Sequence, residues 1–440
     1  MEYLIKGGQL LLSLSLLIVL HEFGHYLPAR KFKTRIEKFY LFFDYKFSLF
    51  KKKIGGTEWG IGWIPLGGYV KISGMIDESM DKEQMAKEPQ EWEFRAKPAW
   101  QRLIIMVGGV TVNIIVGILI YMMVVFVWGR DYLTNDQLDH GFAVHEHFEQ
   151  YGFKDGDKIL KIEGEVPFNI LSISADIAIH DARNIEVLHA DGSTQTITLP
   201  EDIDMTMFTE GAIRGFVPRI YPVIDSIIVD RPAMKAGFMK GDSILAVNGI
   251  NINFWDEFST QLKANKNKTI DIKFVRNNSE MTLPVSVDSL GTVGIKSINF
   301  DLNKIQTKHY SFTESISEGF SLGIQTLSDY VSQMKYLFTS KGAGSVGGFG
   351  AIGGMFSPTW DWHSFWMNTA FISIVLAFMN VLPIPALDGG HIMFLLYEMI
   401  SGRKPNEKFM EYAQAAGMIL LLSLLLYANG NDVVKWFTGG

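Results

Sequence analysis

The chain has 440 residues, of which 48% are apolar, carries a net charge of −7 and contains no cysteine. That apolar share is high for a soluble protein and predicts a mixed membrane and soluble architecture of several units. Absence of cysteine excludes disulfides and thiolate metal sites, leaving His, Asp and Glu as possible zinc ligands, and the negative charge argues against nucleic acid as the main partner.

An apolar run from Leu4 to Leu20 predicts a first membrane span over about Tyr3 to Tyr26, and it ends in His21-Glu22-Phe23-Gly24-His25. On a helix, histidines four apart lie one above the other, so both imidazoles can reach one metal ion. Glu22 then points at the open metal position, where a carboxylate can take a proton from water. The competing reading is a polar helix end with ordinary interfacial histidines, but two histidines and a carboxylate at bilayer depth are costly without a function. Lys6 before the leucine-rich run mimics a secretory signal. No small-residue cleavage site follows, so residues 1–28 are expected to stay as a transmembrane helix.

Residues 29–99 are expected to form a cytoplasmic loop. Between Arg30 and Lys53, nine basic residues face only Glu37 and Asp44. Within the loop, Glu58 to Ile72 alternates apolar residues with glycine, whereas the charged stretch Asp77 to Lys97 has little periodicity and receives no function. A second span over residues 100–128 carries Trp100 and Trp128 as interfacial anchors. Gly109, Asn113 and Gly117 share one of its faces, which favours close helix packing and turns Asn113 toward protein or water.

The segment Gly152 to Gly164 returns 85 residues later as Gly237 to Gly249, with Gly-Asp before an alternating strand and then Glu-Gly or Asn-Gly at a tight turn. Two similar modules are expected, at residues 129–218 and 219–304. The phrase resembles that of PDZ domains, which bind extended peptides by adding a strand to a sheet edge, and two spacer domains with closed grooves are the alternative. In residues 305–364, Phe312, Ile316, Phe320, Ile324, Leu327, Val331, Met334 and Phe338 recur at helical spacing. They predict an amphipathic helix on the outer membrane surface or against the paired modules. Glycines from Gly342 to Gly354 then suit a hinge or re-entrant loop.

Residues 365–440 hold a third span, Phe365 to Leu382, and a fourth near Ala413 to Tyr427 that is short for a full crossing. Arg403, Lys404 and Lys408 place the loop between them on the cytoplasmic side, so four spans put both termini and the long middle segment outside. A catalytic zinc normally has three protein ligands, and Asn380-Val381-Leu382-Pro383-Ile384-Pro385-Ala386-Leu387-Asp388-Gly389-Gly390-His391 offers the third at that inner side. Prolines and glycines break the helix there and place Asp388 at the start of the next one. By spacing Asp388 is favoured over His391, although Asp388 as a simple helix cap stays open.

Taken together, the His21 to His25 pentapeptide, the Asn380 to Gly389 stretch and the intervening PDZ-like pair resemble the site-2 protease family of intramembrane zinc metalloproteases, peptidase family M50, in its bacterial RseP-like branch. The likeness runs through nearly the whole chain, in motif order as well as content. It implies a multi-pass α-helical membrane protein of about four transmembrane helices, with two tandem PDZ-like α+β or β-rich domains inserted between the second and third spans. His21, His25 and Asp388 would bind Zn2+ and Glu22 would be the general base. Cleavage of single-span membrane proteins, such as anti-sigma factors or remnant signal peptides, within or near their transmembrane segment would follow an earlier cut by a site-1-type protease. The bacterial inner membrane is the implied location, with the active site near the cytoplasm and the PDZ-like pair in the periplasm as a size filter. Glu58 to Ile72, with Trp63, Gly67, Gly68 and Tyr69, resembles the family's membrane-associated β-loop, whose strand edge could hold a substrate extended; an ordinary hairpin is the alternative. Asn380 resembles a substrate-binding position, and Asn113 joins it as a candidate contact. The competing function is a non-catalytic scaffold binding peptides through the PDZ-like pair, with a metal transporter a weaker third.

Overall fold

The computed structural model describes residues 1–65, 67–75, 88–298, 300–301 and 304–438, so Leu66 and residues 77–87 of the charged stretch lie outside the described residues. The chain divides into two compact units, 1–129 with 309–440, and 130–308.

The first unit begins with α1 (Glu2–Lys31). A four-stranded sheet of β1 (Ile36–Leu41), β2 (Phe50–Ile54), β3 (Thr57–Ile61) and β4 (Tyr69–Ile72) follows, and then α2 (Ala99–Trp128). Its second half contains α3 (Phe312–Leu337), α4 (Trp362–Val381), α5 (Asp388–Ser401) and α6 (Glu407–Thr438). Helices α1, α2, α4 and α6 are each long and apolar enough to cross a membrane. At about 1.5 Å per residue, even the shortest of them matches a hydrocarbon core of about 30 Å.

Strand order in the sheet is β2-β3-β1-β4, with β1 and β3 parallel and the other pairs antiparallel. Phe39 and Trp59, side by side on β1 and β3, pack on Phe23 and Tyr26 of α1 at ring separations of 4.9 and 5.2 Å respectively. Helical periodicity therefore turns one face of the pentapeptide to the sheet and leaves the histidine face for α2. Polar pairs between helices supplement the apolar packing: Thr369 donates to Ser13 at 3.0 Å, joining α4 to α1, and Ser373 donates to the Asn113 carbonyl at 2.7 Å, joining α4 to α2. Such bonds are useful where no water competes for the hydroxyls.

Two expectations change. α6 runs well beyond Ala413 to Tyr427 at both ends: Asn406 accepts from the Lys408 amide at its start, and past Tyr427 the polar residues have partners, with Asp432 accepting from the amides of Gly348, Gly350 and Ala351 and Asn429 from that of Phe349. The last two acceptors hold the glycine-rich segment, which forms two short helices, Ser340–Ser345 and Phe349–Gly354. The amphipathic helix α3 lies along α2, not flat on a surface. Its Gly319 and Gly323 face α2 so closely that added Cβ atoms would sit 2.4 Å from Met122 Cα and 2.8 Å from Ile118 Cγ1.

The second unit has two separate hydrophobic cores, from Leu133 to Phe216 and from Ile224 to Val293. The first surrounds a sheet of β5 (Lys158–Ile162), β6 (Asn184–Leu188) and β7 (Thr194–Thr198). In the second, β8 (Ser243–Val247), β9 (Ile250–Asn251), β10 (Thr269–Arg276) and β11 (Ser279–Ser286) are arranged β9-β8-β10-β11. Both repeat copies close on two residues of positive φ, Glu163 and Gly164 at 50° and 84° and Asn248 and Gly249 at 49° and 81°, as a tight hairpin turn requires. Asp157 and Asp242, at equivalent positions, each accept a backbone amide bond at 2.8 Å, from Lys154 and Met239. Their second partners differ: His189 donates to Asp157 and Arg276 to Asp242. The Asp157 hydrogen bond, helped by one to Gln195, raises the pKa of His189.

Candidate metal centre

α1 and α2 approach through glycines. A Cβ on Gly24 would sit 2.4 Å from the Gly108 oxygen, and one on Gly109 would sit 2.4 Å from His25 Nε2 and 2.6 Å from His21 Cε1. The glycine inside the pentapeptide thus lets two backbones touch, and Gly109 leaves the space that both imidazoles fill. His25 Nδ1 is 2.8 Å from the Ile105 carbonyl oxygen, and His21 Nδ1 is 3.2 Å from the Asn113 amide. With the Nδ1 atoms engaged on α2, the Nε2 atoms converge.

Asp388 arrives from the other half of the unit. Pro383 and Pro385 end α4, Ala386 turns the chain at φ 83°, extended Leu387 follows, and Asp388 opens α5. A carboxylate is favourable at that helix start. Positive φ is costly for alanine, so the turn is held by its surroundings. Gly389 permits this, since a Cβ there would lie 2.0 Å from the Leu382 oxygen. At the other end of α5, Glu398 pairs with Arg102 of α2, tying the helix that carries Asp388 to the one that holds the imidazoles.

The three donor atoms form an equilateral triangle. His21 Nε2 and His25 Nε2 are 3.3 Å apart, and each is 3.3 Å from Asp388 Oδ2. A tetrahedral zinc with bonds of about 2.0–2.1 Å needs donor edges of about 3.3–3.4 Å, so the spacing matches. Asp388 Oδ2 is buried without a hydrogen-bond partner among the described residues, as a metal-directed oxygen would be. Two imidazole nitrogens and one carboxylate oxygen are a donor set that zinc accepts, with a fourth position left for water. Among the described residues this is the one cluster of three such groups.

Glu22 is buried beside the triangle, next to Val70 of β4. Both line a cavity of about 500 Å³ together with His21, His25, Asp388, Gly68 and Tyr69. β4 is an edge strand, so its backbone borders the cavity with one side free of strand partners among the described residues. At the rim Tyr69 donates to Asp44 at 2.7 Å and Lys38 at 3.1 Å. Burial opposes ionisation of Asp44, yet these two bonds hold its pKa below the usual carboxylate value, while burial and Asp44 push the Tyr69 phenol up.

The other sequence candidates are more scattered. Trp63 stacks on Phe47 and donates its indole N–H to the Tyr45 carbonyl, Gly67 lies against the Phe43 ring, and Asn380 is half-buried on the last turn of α4. None of these three is among the cavity-lining residues, whereas His391, the rival ligand, is. Sequence reasoning missed Ile105, whose carbonyl binds His25, and the cavity residues Lys38, Asp44, Met106 and Gln414. Only tertiary packing brings these to the site, so no local pattern marks them.

The family model for Peptidase family M50 matches residues 9–424. The chain is 27% identical to the regulator of sigma-E protease RseP of Escherichia coli, over 98% of this chain and 99% of the relative. It is 28% identical to the RseP of Salmonella typhimurium, over 96% and 97%. A Vibrio cholerae protein named as a zinc metalloprotease is 26% identical over 97% of each chain.

Proposed function

The chain belongs to peptidase family M50 and is an intramembrane zinc metalloprotease, and from that premise we propose that it cleaves single-span membrane proteins within or near their transmembrane segments in regulated intramembrane proteolysis. The observation that carries the site assignment is the 3.3 Å triangle of His21, His25 and Asp388 with Glu22 beside it. These three residues would hold the zinc, which would supply Lewis-acid polarisation of the scissile carbonyl and a more acidic water. Glu22 accepts the proton of the attacking water at its carboxylate and returns it to the leaving amine.

Substrate reaches the site as an extended strand along β4, with backbone hydrogen bonds replacing those of its unwound helix, since a helical peptide bond is shielded from attack. Gly68 and Tyr69 line the cavity beside that path, which supports the substrate-binding role that the β-loop resemblance implies for them. The protein lies in a bacterial inner membrane with the basic loops, and hence the zinc centre, toward the cytoplasm. Residues 130–308, with their duplicated hairpin, act on the outer side as a PDZ-like pair that admits substrates already shortened by a site-1-type protease; the relatives' names point to a sigma-factor pathway. Membranes of cells carrying Glu22→Gln are expected to accumulate the uncut single-span substrates. If no membrane protein fragment accumulates relative to the parent, this substrate class is wrong.

A further inference from the structure

A neutral imidazole has one N–H and one lone pair. For Nε2 to face a metal with its lone pair, the proton must sit on Nδ1 and needs an acceptor there. For His25 the acceptor is the Ile105 carbonyl at 2.8 Å. For His21 the group at Nδ1 is the Asn113 side-chain amide, with Nδ2 at 3.2 Å, while Asn113 Oδ1 is buried with no hydrogen-bond partner. An NH2 donating to Nδ1 would force the proton onto Nε2, where it would point into the triangle and close the metal position. A half-turn of the amide exchanges two atoms of similar size, gives the orphaned oxygen a donor and frees His21 Nε2.

From this we infer that Asn113 is a positioning residue for the metal centre: its side-chain oxygen accepts the Nδ1–H of His21 and fixes the tautomer whose Nε2 lone pair meets zinc. The inference rests on His21 being a zinc ligand. Asn113 is 1% exposed and so closed to substrate, and its main-chain carbonyl accepts from Ser373 on α4 at 2.7 Å, which fixes the backbone that carries the amide. The two imidazoles thus use the same device in different chemistry, a main-chain carbonyl for His25 and a side-chain carbonyl for His21. Both acceptors come from α2, eight residues apart.

The test is the zinc dissociation constant of the full-length protein in detergent, by competition with a chelating dye, for the parent, Asn113→Leu, Asn113→Asp and His21→Ala. Loss of such an acceptor weakens metal binding by about 10–100-fold, expected for Asn113→Leu, and Asn113→Ala takes its place if the leucine variant does not fold. Asn113→Asp keeps an oxygen at Nδ1 and should stay near the parent, because what His21 needs there is an acceptor and not an amide. Parental zinc affinity in the leucine variant, with His21→Ala impaired, overturns the inference; so does an aspartate variant as weak as the leucine one. Parental affinity in His21→Ala would instead overturn the ligand assignment beneath it.

Discussion

Gly109 gives the sharpest packing test of the metal centre. In Gly109→Ala the new Cβ would sit 2.4 Å from His25 Nε2, 2.6 Å from His21 Cε1 and 2.8 Å from His25 Cε1. Ordinary carbon contacts begin near about 3.5 Å, so the rings must withdraw by about 1 Å. Side-chain ends can often move that far, but these rings are pinned at Nδ1 by Ile105 and Asn113, and the helices are fixed by the Gly24–Gly108 contact. Metal sites tolerate only about 0.2 Å in ligand distance. Losing one ligand geometry should therefore weaken zinc by at least about 100-fold, or about 2.7 kcal/mol. Zinc retained by purified protein at buffered free zinc reads this directly, with Gly8→Ala, which meets nothing within 4 Å, as the control. Zinc affinity in Gly109→Ala equal to that of the control would refute the packing argument.

Two predictions concern parts away from the zinc. Gly319→Leu should disrupt the contact between α3 and α2 and destabilise the folded protein by about 1–3 kcal/mol, read as a lower unfolding temperature in detergent, since Met122 Cα leaves no room for a side chain. His189 has a folded-state pKa above its unfolded value of about 6.5, through its bond to Asp157. Its contribution to the core around Leu133 to Phe216 is thus complete below about pH 6.5 and is lost as pH rises through the folded pKa. Hydrogen exchange there, corrected for its intrinsic pH dependence, should show stability falling with pH in the parent and a flatter profile in His189→Gln; equal slopes would sink this reading.

The sequence reveals the parts of the structure that rest on local periodicity. His21 and His25 could be paired because helix geometry fixes their relation, and Asp388 could be proposed because Pro383 and Pro385 end one helix just before it. Asn-Gly and the glycine of Glu-Gly marked the two hairpins because glycine and asparagine accept positive φ readily. What stayed hidden depends on how helices meet. Gly109 looked like a packing residue, but it clears space for both imidazoles, and Asn113 looked open to substrate, but it lies on His21. The length of α6 was underestimated because Asn429 and Asp432 read as breaks in an apolar run until their partners in the glycine-rich segment are seen.

The central claim is that one zinc held by His21, His25 and Asp388 works with Glu22 as base. The most direct measurement takes zinc content and cleavage of a model transmembrane substrate together, for purified parent, Glu22→Gln and Asp388→Ala. The account predicts parental zinc with turnover reduced at least about 100-fold in Glu22→Gln, and loss of both zinc and turnover in Asp388→Ala. Cleavage by zinc-loaded Glu22→Gln at the parent rate, or full zinc affinity in Asp388→Ala, would contradict it.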